Sequence, residues 1–237
     1  MSTTVERRIP DLVAGDKLTR AEFLRRWEAH PEIKNAELIG GIVYMPSPVS
    51  LERGELDGDV GGWLCGYRAA TPGTACGHNA TSFILEDTPQ PDLHLRIRPE
   101  YGGSSWVEGK YLGGVPELLT EICRSSASYD LHVKLDLYQA AKIPEYLAIL
   151  LFEQEIRWHV LVNGEYQLLP VDPDGLLRSR IFPGLWLDGK ALLAGNIQQV
   201  LARLQEGLRS PEHDKFVAEL ANRKAARHNE QTTAVKS

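Results

Sequence analysis

The chain has 237 residues, 43% of them hydrophobic and 24% charged, and a formal net charge of −6. That is the balance of an ordinary packed globular protein, of a length that suits one α/β domain or a domain with an added helical tail. It excludes a bilayer-spanning helix, since no run approaches the roughly 18 apolar residues required. It also excludes a disulfide framework, because Cys65, Cys76 and Cys123 are too few and too irregularly spaced. The arginines among residues 1–14 precede no apolar block, so no secretory signal is expected and a reducing cytoplasm is the expected location. The acidic balance argues against tight non-specific DNA binding by the chain alone, although a bound divalent cation would invert the local sign of an acidic site.

Taken in chain order, Thr19 and Glu22 form a capping box, and Phe23, Leu24 and Trp27 recur at helical spacing, which predicts a helix over residues 20–29 ended by Pro31. Two short apolar runs flank Gly40-Gly41, the pattern of a hairpin. Pro46 and Pro48 mark a turn. Leu56, Val60, Trp63, Leu64 and Tyr67 then predict a helix over residues 51–67. Strands are expected at 74–80, 82–85 and 93–97. The glycine-rich stretch 99–114 is expected as an exposed loop. Residues 117–123 read as a buried strand and 129–142 as a helix closed by Pro144. Strands at 146–152, 156–162 and 166–171 follow, the last two joined by a tight Asn163-Gly164 turn. Leu185, Leu187, Leu192 and Leu193 pack a short unit. Ile197, Val200, Leu201, Leu204 and Leu208 make an amphipathic helix that suits packing on the body or on a second copy, and a homodimer is expected from it. A further helix is expected over 212–227. The organisation is therefore an N-terminal segment (1–17), a domain (18–193), a helical extension (194–228) and a polar end (229–237) expected to be disordered.

Within this pattern three acids occupy positions where a sheet wants apolar residues. Glu37 lies in the strand before Gly40-Gly41, Asp92 follows Pro91 and opens a strand, and Glu121 interrupts the apolar run 118–123. A carboxylate in a buried strand is costly unless paired, hydrogen-bonded or bound to a cation. Three of them on short central strands are able to converge on one hard divalent ion. Lys134 shares a helix face with Leu131, Leu135 and Tyr138, so its ammonium faces the sheet, while His132 points to solvent. Acids on strands and a lysine from the neighbouring element suit metal-assisted phosphodiester hydrolysis. Each residue also has a structural reading. Asp92 serves as a turn cap, Glu121 pairs with Arg96 or Arg124, Lys134 pairs with Asp130 on a helix surface, and Glu37 occupies an edge strand. Cys76-Gly77-His78 lacks a second Cys/His pair at zinc-ligand spacing, residues 102–114 lack the phosphate-loop spacing, and no nucleophile elbow is present.

Several segments together resemble the Uma-type restriction endonuclease family, a branch of the PD-(D/E)xK nuclease superfamily. They are Ala36-Glu37-Leu38-Ile39 with Gly41, Met45-Pro46-Ser47-Pro48, Pro91-Asp92-Leu93, and Pro116-Glu117-Leu118-Leu119-Thr120-Glu121-Ile122. Tyr129-Asp130 through Lys134, Leu137 and Tyr138, then Ile143-Pro144-Glu145-Tyr146 and Phe182-Pro183-Gly184-Leu185, complete the set. The resemblance spans about residues 18–193 and leaves the helical tail outside. It implies a restriction-endonuclease-like mixed central sheet flanked by helices, and a Mg2+- or Mn2+-dependent endonuclease acting on DNA. Asp92 and Glu121 would bind the metal with the Ile122 carbonyl, Glu37 would bind a second ion or orient water, and Lys134 would stabilise developing charge. Lys134 replaces the lysine of the strand motif, whose position holds Cys123 here. Two departures stand out: Cys123-Arg124-Ser125 replaces the usual aliphatic-Ser-Pro run, and Val49-Ser50-Leu51 lacks the histidine common after the Ser-Pro motif. The alternative function is a catalytically silent member of the fold serving as a binding or assembly module. A basic rim drawn from Arg96, Arg98, Lys110 and Arg124 would favour nucleic acid.

Overall fold

The computed structural model describes residues 9–45, 50–124 and 130–234. The expected turn at Pro46 and Pro48, the residues 125–129 that precede the middle helix, and residues 235–237 lie outside that description.

Helix α1 (Arg20–Ala29) begins where the Thr19 hydroxyl accepts from the Glu22 amide at 3.4 Å. It buries Phe23 against a hairpin of β1 (Glu37–Ile39) and β2 (Ile42–Tyr44). Gly40 and Gly41 turn that hairpin at φ +60° and +75°, the left-handed pair that a two-residue connection needs. Helix α2 (Leu51–Ala70) follows, capped by Ser50, and buries Val60, Trp63, Leu64 and Tyr67. Next come β3 (Thr74–His78), β4 (Ser82–Phe83) and β5 (Leu93–Ile97).

The stretch expected as an exposed loop is ordered instead. A single turn at Pro99–Tyr101 leads into β6 (Ser104–Glu108) and β7 (Tyr111–Val115), which pair antiparallel, and β4 joins β7 to form a three-stranded sheet. The glycines that suggested a loop serve close packing: a Cβ on Gly113 or Gly114 would run into the Trp106 ring.

Strand β8 (Leu118–Cys123) is buried throughout. A π-helical turn at Asp130–Lys134 opens α3 (Leu135–Ala140), so the expected uniform helix is a wide turn followed by a short α-helix. Strands β9 (Glu145–Leu150), β10 (Glu155–Val162) and β11 (Glu165–Leu168) complete a six-stranded sheet of order β11-β10-β9-β8-β5-β3. Only β8 and β9 run parallel in it; the other neighbours are antiparallel. Both central strands are covered on two faces, which is why they read as near-continuous apolar runs. A small hairpin of β12 (Leu177–Arg178) and β13 (Trp186–Leu187) precedes α4 (Gly189–Leu193), α5 (Ile197–Gly207) and α6 (Pro211–Ala234).

Helices α2, α5 and α6 cover one face of the large sheet, where Trp63, Leu95, Ile122, Ile149, Val200 and Phe216 belong to one core. Helix α3 covers the other, with Leu119, Cys123, Tyr138, Tyr146 and Ala148. The architecture is mixed α+β, with the amphipathic residues of α5 turned onto the body. Helix α6 continues to Ala234, into the polar end expected to lack order. Its Arg227 donates to the Pro99 carbonyl at 2.7 Å and Lys224 lies over Tyr101, so the helix is docked well along its length. Propagation beyond a fixed turn gains one bond for each residue fixed, so the helix continues although its end includes Asn229, Thr232 and Thr233.

Candidate functional site

The large sheet brings the acids together by register. Leu93 on β5 faces Thr120 on β8, so Asp92, one residue before β5, lies across from Glu121 at the same sheet end. The Ile122 amide donates to Asp92 Oδ2 at 2.7 Å. The amide and carbonyl of one strand residue face the same edge, so the Ile122 carbonyl also faces Asp92. The Cys123 carbonyl faces the opposite edge and accepts from the Leu151 amide at 3.0 Å. Asp92 is fixed from behind by its own carbonyl, which accepts from Asn79 N at 2.9 Å. Glu37 arrives on the β1–β2 hairpin, which is pinned to the segment before Asp92 by a bond from Thr88 N to the Leu38 carbonyl at 2.8 Å. Its Oε1 accepts from Gln90 N at 2.5 Å.

Lys134 connects two of these acids. Its ammonium is 2.9 Å from Glu37 Oε1 and 2.8 Å from Glu121 Oε1, and the residue is 2% exposed. Its position at the end of the π-turn places it on the inner side of α3 rather than on an exposed helix surface, and the side chain of Asp130 lies outside the described part of the structure. One turn on, the Tyr138 hydroxyl donates to the same Glu121 oxygen at 2.9 Å. Burial, then the charges of Glu121 and Glu37, hold the Tyr138 phenol well above its usual range, so it remains a neutral donor. Two buried carboxylates without this ammonium would be costly. Glu121 therefore does not rely on Arg96 or Arg124; Arg124 instead stacks over Phe152 at 5.0 Å.

Asp92 has a second partner that sequence reasoning missed. Arg53, in the first turn of α2, places one guanidinium nitrogen 2.7 Å from Oδ1 and 2.8 Å from Oδ2. Side-chain exposures of 26% and 12% leave this pair reachable from solvent. A signal was present: a cation in the first turn of a helix opposes the macrodipole, so Arg53 requires a reason from outside its own helix. Asp57, one turn further on, is raised by burial and also by the charge of Asp92, against the effect of His78 at 3.2 Å. The turn-cap reading of Asp92 is not met: its carboxylate accepts from the Ile122 amide across the sheet and from Arg53, not from its own turn.

The expected basic rim is divided. Arg124 follows β8 at the acidic end and is exposed. Arg96 and Arg98 lie at the opposite end of β5, where Arg96 faces Ala75 and Arg98 donates to the Thr74 carbonyl at 3.3 Å. Lys110 pairs with Glu28 at 3.2 Å and, with Trp27, Lys34, Asn79, Gln90 and Tyr111, lines a cleft of about 390 Å3. That cleft adjoins the acids, because Gln90 holds Glu37 and Asn79 holds Asp92. His132 is exposed, as its helix position predicts. Cys76 contacts Cys65 with sulfurs 3.3 Å apart.

Glu37, Asp92, Glu121 and the Ile122 carbonyl offer only oxygen donors, which suits a hard divalent cation. Both ends of the set already attract positive charge, Lys134 between Glu37 and Glu121 and Arg53 on Asp92. As they stand, no three acidic, histidine or cysteine side chains converge on one point among the described residues. The set fits a metal ion on the condition that Arg53 yields Asp92. No helix among the described residues is long and apolar enough to cross a membrane.

Comparison with known proteins identifies a family and a similar fold. The Uma2 family model, described as "Putative restriction endonuclease", matches residues 20–190. A solved structure described as a "putative nuclease belonging to DUF820" from Anabaena variabilis superposes with a TM-score of 0.56 at 14% sequence identity, over 73% of this chain and 98% of that one. At that identity the likeness concerns the fold. No curated protein matches the chain.

Proposed function

The chain belongs to the Uma2 family, and from that premise we propose that it is a divalent-metal-dependent endonuclease hydrolysing phosphodiester bonds in DNA. The observation that carries the reading is the buried Lys134 ammonium held between Glu37 and Glu121, beside the Asp92–Ile122 bond. A structural ion pair has no need of a third acid at the same sheet end.

Asp92, Glu121 and the Ile122 carbonyl would hold Mg2+ or Mn2+, with Glu37 at a second ion or at the attacking water. The ion supplies Lewis acidity and charge neutralisation to the phosphodiester. In this reading Lys134 donates to the oxygen on which negative charge develops, and the Tyr138 hydroxyl keeps Glu121 oriented. Gln90 and Asn79 fix Glu37 and Asp92 through backbone bonds and so hold the acids in register. Trp27 and Tyr111 line the adjoining cleft with aromatic side chains, and Lys34 and Lys110 add cations, along a path for a strand leading away from the acids. These local cations matter because the net charge of −6 provides no general attraction to a polyanion.

The test is Mn2+ binding by calorimetry on the wild type and on Asp92→Ala, followed by nicking of supercoiled DNA with and without chelator. Binding lost in Asp92→Ala and chelator-sensitive nicking are expected. A wild type that binds no Mn2+ at millimolar concentration and nicks nothing would refute the enzyme reading in favour of a silent binding or assembly module.

A further inference from the structure

The functional reading above requires Arg53 to leave Asp92 and gives the arginine no further task. The pair is well formed, with both carboxylate oxygens within 2.8 Å of one guanidinium nitrogen. Yet Asp92 is also the acid that a divalent ion requires, and the two cations compete for the same oxygens. The Asp92 carboxylate accepts from Ile122 N at 2.7 Å and its backbone carbonyl accepts from Asn79 N at 2.9 Å, so the residue stays in place whichever cation it faces. Arg53 stands in the first turn of α2, where a cation gains nothing from the helix dipole, and its side chain is 26% exposed.

We propose that Arg53 is an exchangeable cation of the site: it neutralises Asp92 in the metal-free protein, yields to the divalent ion, and then binds the phosphodiester of the substrate. The inference rests on the metal-dependent endonuclease reading. The chemistry supports each half. Displaced from a carboxylate by a stronger cation, a guanidinium keeps its charge and its planar array of donors, which matches a phosphate as well as it matched the carboxylate. Its reach from the α2 end is the distance to Asp92, so a phosphate adjoining the ion on Asp92 lies within that radius. No proton or bond changes hands in the exchange, only the partner of one ion pair. The arrangement also guards the metal-free fold, since Asp92, 8% exposed, never stands buried without a counter-charge.

The test uses Arg53→Gln and Arg53→Lys in the full chain, with thermal melting to confirm folding. Mn2+ affinity is measured by calorimetry without substrate, and DNA cleavage is measured at saturating Mn2+. Removal of the competing cation should tighten Mn2+ binding about tenfold in Arg53→Gln, the equivalent of one weak ion pair. Cleavage at saturating ion should fall about 100-fold, as for loss of one charged donor to a transition state. Arg53→Lys, a point charge without the fork, should fall between. A folded Arg53→Gln that binds Mn2+ no tighter than wild type overturns the exchange. Tighter binding with unchanged cleavage overturns the phosphate role. Absence of Mn2+ binding in both wild type and Arg53→Gln overturns the metal-dependent reading itself, and this inference with it.

Discussion

Replacing Lys134 with methionine removes the ammonium and keeps the aliphatic stem, so the buried volume changes little. What remains is Glu37 at 7% exposure and Glu121 at 2%, two carboxylates that had shared a cation at 2.9 and 2.8 Å. Removing one partner of a buried ion pair costs about 3–5 kcal/mol, against a total stability of roughly 5–15 kcal/mol for a domain. The variant should therefore fold but unfold at a clearly lower urea concentration, followed by tryptophan fluorescence through the buried Trp63 and Trp158. Glu121→Gln removes one of the stranded charges, so the double variant should be less unstable than the sum of the two single changes, with a coupling of about 1–3 kcal/mol. Mn2+ should restore part of the loss in Lys134→Met, about 2.7 kcal/mol at a hundredfold excess over its Kd, because the ion binds only the folded state. A Lys134→Met protein within about 0.5 kcal/mol of wild type, with strictly additive changes, would refute the reasoning.

Tyr138→Phe deletes the hydroxyl that donates to Glu121 at 2.9 Å; a loss of about 1.5–3 kcal/mol is expected in the same urea assay, and no measurable change would mean that Lys134 alone satisfies that oxygen. Glu145, at the other end of β9, is raised by burial from 4.5 to about 7 despite bonds from Ser179 and the amides of Arg180 and Ile181. Because its folded value lies above its unfolded one, its contribution to stability is present below about pH 4.5 and is lost as pH rises towards 7. The loss amounts to roughly 3 kcal/mol across that window, and Glu145→Gln should flatten this part of the stability–pH curve; an unchanged slope would contradict the assignment. Asp92→Asn keeps an oxygen for the Ile122 amide while giving up the charge that Arg53 and a divalent ion share. Slow hydrogen exchange at Ile122 should persist in this variant while Mn2+ binding disappears, whereas fast exchange there would show that the Asp92 charge is needed for the strand end to close.

Much of the site was legible in the chain because burial is a property of single residues. An acid inside Leu-Leu-Thr-Glu-Ile-Cys, another behind Pro91, and a lysine on the face of Leu131 and Tyr138 each conflict with the local pattern, and each proves to be buried at one end of the sheet. Helix α1 and the Gly40-Gly41 hairpin were equally legible, since caps and left-handed turns are decided by a few adjacent side chains. Family resemblance supplied the order in which the acids belong together. The remainder depended on distances between elements that are far apart in sequence. Glycines between residues 102 and 114 look the same whether they loosen a loop or admit the Trp106 ring, and only the packed β6–β7 hairpin distinguishes the two. Arg53 lies 39 residues before Asp92, and no periodicity links them. Their meeting follows from the antiparallel pairing of β5 with β8 and from where α2 lands on the sheet. Local chemistry chose the residues that could not be left alone in a core; the tertiary structure chose their partners, because a counter-charge acts through space and not along the chain.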